Sequence, residues 1–261
     1  MKISVSNIAW SAERDDEMLS FLLKNNIDGL EIAPSRIFPQ GPYSHLQEAG
    51  LYASYLWQSC GLKLSSMQSI WYGRSENIFA GDNERKALLE YTEKALAFAN
   101  AMQIENLVFG CPKNRIMGEA STEEEIIPFF ITLGELAKKA GVFINIEANP
   151  PIYGTNFLNT TGQVLQFVKK VNHTNIKLNL DYGALVYEEE PIVSADALPF
   201  VKHVHISEPY LAPITQRVGH MRLAQQLKEA NYGGYVSLEM AKQDDIDIVK
   251  NNVLYIKEVF G

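Results

Sequence analysis

The run VFINIE, Val142 to Glu147, is apolar almost to its end and closes on a carboxylate. Three later runs have the same form: IKLNLD at 176–181, VKHVH at 201–205 and YVSLE at 235–239. Their closing residues are Glu147, Asp181, His205 and Glu239, set 34, 24 and 34 residues apart. Short apolar runs read as buried strands. Strand–helix units of this length close into a barrel, and the C-terminal ends of the strands then converge on one rim. A polar group that closes a buried strand is costly unless it finds a partner. Three carboxylates and an imidazole are the donors with which a protein holds an oxygen-seeking divalent ion. One such ion would satisfy all four at once.

Working outward, strands and helices alternate along the whole chain. Strands are expected at KISVSNIAW, GLEIA (29–33), LKLSSMQSI (62–70) and NLVFG (106–110). Helices are expected from Glu13 to Asn26, through HLQEAGLYASYLWQSC with Ser44 as its cap, and from Asn83 to Met102. Ser121 opens STEEE as a capping box, and Gly141 ends the helix that follows. Thr161 stands at the head of TGQVLQFVKKV. The next helical segment is only SADALPF, broken by Pro199, which fits the short 24-residue interval. HMRLAQQLKEAN and DIDIVKNNVLYIKEVF complete the series. Eight strands and eight helical segments predict an α/β protein, a single (β/α)8 TIM barrel spanning residues 1–261. A doubly wound open sheet would not gather four successive strand ends, and no G-x-G-x-x-G follows the first strand.

Composition sets the remaining bounds. The chain has 261 residues, 46% hydrophobic and 21% charged, enough for a large core. A net charge of −8 argues against a phosphate-backbone binder. MKISVSNIAW lacks the apolar stretch of a secretory signal, and no run reaches membrane-span length. With Cys60 and Cys111 alone, no disulfide framework is implied. The expectation is a cytoplasmic protein that engages neither membrane nor nucleic acid. Homo-oligomerisation stays open.

The segments IEANP, NLDYGAL, KHVHISE and ANYGGYVSLEM carry a resemblance. They resemble, in order, the strand-5, strand-6, strand-7 and strand-8 motifs of the xylose isomerase-like TIM barrels. That superfamily of sugar isomerases and epimerases also contains endonuclease IV. The resemblance implies Glu147, Asp181, His205 and Glu239 as metal ligands, with His205 preferred to His203. Its ketose 3-epimerase branch implies Glu147 and Glu239 as the catalytic acid/base pair. Two positions depart from that branch. Ala184 stands where the D-x-G-H motif has its histidine, and Leu211 where the epimerases have an arginine. Arg217, in the same loop, is the candidate replacement. These departures point to another sugar, a cyclitol or a keto acid rather than an ordinary ketohexose. Endonuclease IV needs a histidine-rich zinc cluster, and this acidic chain has five histidines, at 45, 173, 203, 205 and 220.

The donor set suits one divalent ion, Mn, Mg, Co or Zn. Polarising a carbonyl acidifies the neighbouring C–H; a glutamate on one face removes that proton and a second returns it, through a metal-bound enediolate. The expected activity is thus a metal-dependent isomerase or epimerase of a small carbohydrate or sugar phosphate. The alternatives are a dehydratase or lyase like the dehydroshikimate dehydratase branch, or a non-catalytic sugar-binding barrel. Candidate substrate-binding residues are Trp10, Gln68, Tyr153, Asn156, Lys113 and Arg217, with Arg115 beside Lys113 as a second cation after the fourth strand.

Overall fold

A computed structural model describes all of residues 1–261. Eight parallel strands close into a barrel in sequence order. They are β1 Lys2–Ser6, β2 Gly29–Ile32, β3 Lys63–Met67, β4 Asn106–Phe109, β5 Phe143–Glu147, β6 Ile176–Asp181, β7 Val201–Ile206 and β8 Tyr235–Leu238. β1 pairs with both β2 and β8, which seals the cylinder. The helices are α1 Asp15–Lys24, α2 Pro34–Ile37, α3 Leu46–Cys60, α4 Asp82–Ala101, α5 Ile127–Ala140, α6 Thr161–Val171, α7 Tyr182–Tyr187, α8 Val218–Glu229 and α9 Ile246–Phe260. None is long and apolar enough to cross a membrane.

The strands owe their apolar runs to the helices outside them. Ile144, Ile146, Val204, Ile206, Val236 and Leu238 belong to the continuous hydrophobic core. Period-two alternation turns the residues between them into the barrel. There the chain is polar: Ser4, Glu31, Ser66, Asn145, Asn179, His203 and Ser237 are all buried. Barrel interiors are more often filled by branched aliphatics. Two strand pairs also slip register, between Leu30 and Glu31 against β3 and between Leu178 and Asn179 against β7. Such irregularities re-aim side chains near functional sites, and here each adjoins a polar residue that enters the site.

Several helix starts differ from expectation. α6 is capped by Thr160, not Thr161: the Thr160 hydroxyl accepts from the Gln163 N–H at 3.1 Å, and the Gln163 side chain accepts from the Thr160 N–H at 3.2 Å. Thr161 lies inside the first turn, and its N–H donates to Glu190 at 2.7 Å. The box expected at Ser121 does not form. Glu123 and Glu124 turn instead toward Lys170, at 2.6 and 3.5 Å, and Glu123–Ile126 forms a separate 3-10 turn before α5. Ser44 ends a 3-10 turn and leaves α3 without a side-chain cap. The helical segment after β6 lies earlier than SADALPF. α7 leaves the strand without a loop, and only a single turn, Leu198–Phe200, falls in the expected region.

Candidate metal centre

Glu147 ends β5, Asp181 ends β6, His205 is the penultimate residue of β7, and Glu239 follows β8 directly. One ligating atom from each lies within 4.8 Å of all the others. The His205 Nδ1 is 2.8 Å from Glu147 Oε1 and 3.1 Å from Glu239 Oε2. Each carboxylate has at least one oxygen held in place, and Glu147 has both, with Asn149 donating to its Oε2 at 3.3 Å. Asn179 donates to Glu147 Oε1 at 2.6 Å, and Gln68 donates to Glu239 Oε1. Asp181 Oδ1 accepts from the Ala184 N–H and from the Ser207 hydroxyl, both at 2.8 Å. Asp181 is thereby the N-cap of α7 as well as a wall of the cluster.

Three carboxylates are crowded into one site. Burial, then Glu147 and Glu239, push the Asp181 carboxyl up to about 7. Burial also raises Glu239, against the pull of His205. Burial alone would lower His205, but Glu31, Glu239 and Glu147 outweigh it and hold the imidazole well above its ordinary value. The set thus draws positive charge to its centre, and its one imidazole does not relieve the crowding: Asp181 still holds a proton near neutrality. A divalent cation fits this donor set in charge and in ligand type.

Beneath the cluster lies a second layer. Glu31 Oε2 is 2.8 Å from His205 Nε2, 2.8 Å from His203 Nε2, and also accepts from the Ser66 hydroxyl. Burial would raise Glu31; His205 and His203 together hold it well below the carboxylate range. With Nε2–H directed at Glu31, His205 presents Nδ1 to the cluster, the arrangement by which a carboxylate orients a metal-ligating histidine. His203 sits two residues earlier on the same strand, one pleat deeper and away from Asp181. Sequence reasoning passed over Glu31, which stands mid-strand in GLEIA. Its signal was a carboxylate inside a run that must be buried on both faces.

The xylose isomerase-like TIM barrel family model matches residues 46–259. The chain belongs to that family. Over 222 residues it is 24% identical to the ketose 3-epimerase of Arthrobacter globiformis, covering 80% of this chain and 73% of that protein. Among solved structures it resembles D-psicose 3-epimerase from Clostridium cellulolyticum H10 with D-tagatose, at TM-score 0.79 and 17% identity over 100% and 99% of the two chains. It also resembles 3-keto-D-glucoside 4-epimerase from E. coli, at TM-score 0.76 and 19% identity over 99% of each. At these identities the structural likeness establishes the fold.

Around the centre of this xylose isomerase-like barrel the expected rim residues divide. A cavity of about 150 Å³ is lined by Glu147, Asp181, Glu239, Tyr153, Ala184 and Leu211. The two motif departures therefore face the cluster directly. A neighbouring cavity of about 630 Å³ takes in Trp10 and Gln68. Lys113, Asn156 and Arg217 line neither. Lys113 is exposed. Asn156 clips the Met117 backbone through both its amide atoms, at 2.8 Å each. Arg217 is taken up by Glu208 at 2.6 and 2.9 Å. Arg115 is fully buried, stacks on Phe109 at 5.3 Å and donates to the Glu147 carbonyl at 2.9 Å, which braces the end of β5 from behind. Hollows of about 610 and 620 Å³ at the opposite end of the barrel, around Lys2, Asn106 and Tyr235, lie at the N-terminal ends of the strands. In this fold that end serves stability rather than chemistry.

Proposed function

We propose that this protein is a divalent-metal-dependent sugar isomerase or epimerase, with Glu147, Asp181, His205 and Glu239 as ligands and Glu147 and Glu239 as its acid/base pair. The observation that carries the reading is the buried convergence of these four side chains, with the two glutamates reaching His205 from non-adjacent strands. When bound, the ion supplies Lewis acidity, which makes a hydrogen beside a carbonyl removable. The chain's own residues then handle the proton. Amides fix Glu147 through Asn179 on Oε1 and Asn149 on Oε2, and Glu239 through Gln68 on Oε1. Glutamates on two faces of one carbon can take a proton from one side and return it from the other, which inverts the centre. Asp181 is held by Ala184 and Ser207 and keeps a ligand role. The ketose 3-epimerase relative, 24% identical, supports the same class of reaction.

The test joins metal content with proton exchange. Glu239→Gln and Asp181→Asn are expected to lower metal occupancy, measured by mass spectrometry of the purified proteins. Glu147→Gln is expected to slow deuterium incorporation from solvent into fructose, tagatose or psicose by about 10²–10⁴-fold, the usual contribution of a general acid or base. Full metal retention in both ligand variants would overturn the assignment. Loss of water from the sugar, in place of exchange, would establish a lyase.

A further inference from the structure

The 150 Å³ and 630 Å³ cavities are not independent. They share Ser69, Leu211 and Glu239. Leu211 forms the ridge between them, and its position is built in. Tyr210 and Leu211 both adopt left-handed backbone, at φ 62° and 54°, and the Leu211 carbonyl is held by the Ala241 N–H at 2.8 Å. The smaller cavity lies below the roughly 300–1,000 Å³ range of ordinary small-molecule sites, while the larger falls inside it. A substrate that reacts beside Glu239 and extends beyond one ring must cross the ridge into the larger cavity.

We propose that this larger cavity is a subsite for a second, uncharged glycosyl unit, so that the substrate is a glycoside or oligosaccharide whose reacting ring occupies the smaller one. The inference rests on the epimerase reading of the metal centre. Two features of the wall carry it. First, its faces are aromatic. Tyr72, 71% exposed, offers a free ring, while the buried Trp10 and Tyr43 and the half-buried Tyr91 complete the wall. Flat, electron-rich faces of this kind stack on the C–H face of a sugar ring, and the Gln68 amide and the Ser11, Ser35 and Ser69 hydroxyls supply hydrogen bonds. Second, of its two cations one is spent. The Arg36 guanidinium is paired with Asp15 at 2.6 Å and donates to the Trp10 carbonyl at 3.3 and 3.4 Å. Outside the lining, the Arg74 guanidinium lies over Tyr91 at 4.8 Å and is paired with Glu76. Lys242 remains, exposed on the wall to which Glu239 also belongs. With Arg36 neutralised by Asp15 and Lys242 sharing the wall with Glu239, a phosphate would find no net positive charge there, whereas a neutral ring needs none.

The experiment uses the full chain loaded with Mn²⁺ and titration calorimetry. The probes are isomaltulose, turanose, cellobiose and maltose beside fructose, tagatose, psicose and fructose 6-phosphate. At least one disaccharide is expected to bind 10-fold or more tighter than any monosaccharide. Tyr72→Ala, at an exposed position that does not threaten folding, should erase that advantage. Equal binding of disaccharides and free ketohexoses overturns the subsite. So does tightest binding by fructose 6-phosphate that is lost in Lys242→Ala. Deuterium exchange into fructose with no disaccharide preference overturns the subsite alone. Tight disaccharide binding that depends on Tyr72, without exchange into any sugar, upholds the subsite and overturns the epimerase reading. No binding by any probe overturns both.

Discussion

Glu31 touches no substrate cavity, yet it determines which nitrogen His205 offers to the cluster. Glu31→Gln keeps the shape and removes the charge that anchors Nε2–H. Loss of such a partner usually weakens metal affinity about 10–100-fold, and we expect that fall in a competition titration against a chelator, with the fold intact by circular dichroism. Gly110, one residue past β4, works by what it lacks: a Cβ there would collide with Glu147 Oε2. Gly110→Ala should displace that carboxylate and cost about 10²-fold in exchange rate, with little change in melting temperature. The raised Asp181 sets a pH dependence in the metal-free protein. Between 3.8, its ordinary value, and about 7, the folded chain holds a proton that the unfolded chain has released. Stability therefore falls as pH rises through that window. His205, also raised, continues the trend upward from its ordinary 6.5. Burial lowers His203 and His220, which oppose this trend below 6.5; the urea midpoint of metal-free protein should therefore decline from about pH 6.5 to pH 8, and decline less once metal has taken the place of those protons.

At the scale of elements, α6 shows what a cap contributes. Thr160→Ala removes one half of its reciprocal box and should cost about 1 kcal/mol in urea unfolding, whereas Thr161→Ala leaves the box in place. The sequence pointed to the neighbouring threonine because two adjacent threonines give the same local signal; the choice between them is made by Glu190, which binds the Thr161 and Gly162 N–H groups from 29 and 28 residues away. The same distinction runs through the whole reading. The eight strands were legible because each is a short segment rich in apolar residues between helical patterns, and the four strand-end residues were legible because position on such a segment is a local property. Glu31 was not, because its importance lies with His203 and His205, more than 170 residues later, across the barrel. Nor was the fate of Arg217, which depends on Glu208 coming within reach, nor the early start of α7, where one aspartate both ends a strand and caps a helix.

For the molecule as a whole, an ion that binds only the folded barrel stabilises it by mass action, about 2.7 kcal/mol at a free concentration 100 times its dissociation constant. Extensive dialysis against a chelator should lower the melting temperature, and re-addition of Mn²⁺ should restore it; an unchanged melt would deny the ion any place in the folded state. The placement of the site also divides the barrel. All four cluster residues come from β5 to β8, while the wall of the larger cavity is built mainly by the segments following β1, β2 and β3. If the proposed metal site and subsite hold, the chain is in effect two half-barrels with separate duties, one for reactivity and one for selectivity. Recombination at the β4–β5 boundary would then exchange what the enzyme recognises while leaving what it does. Such a graft has two strings attached: Glu31 and Gln68 lie in the first half and hold residues of the second, so any donor half must bring their equivalents with it.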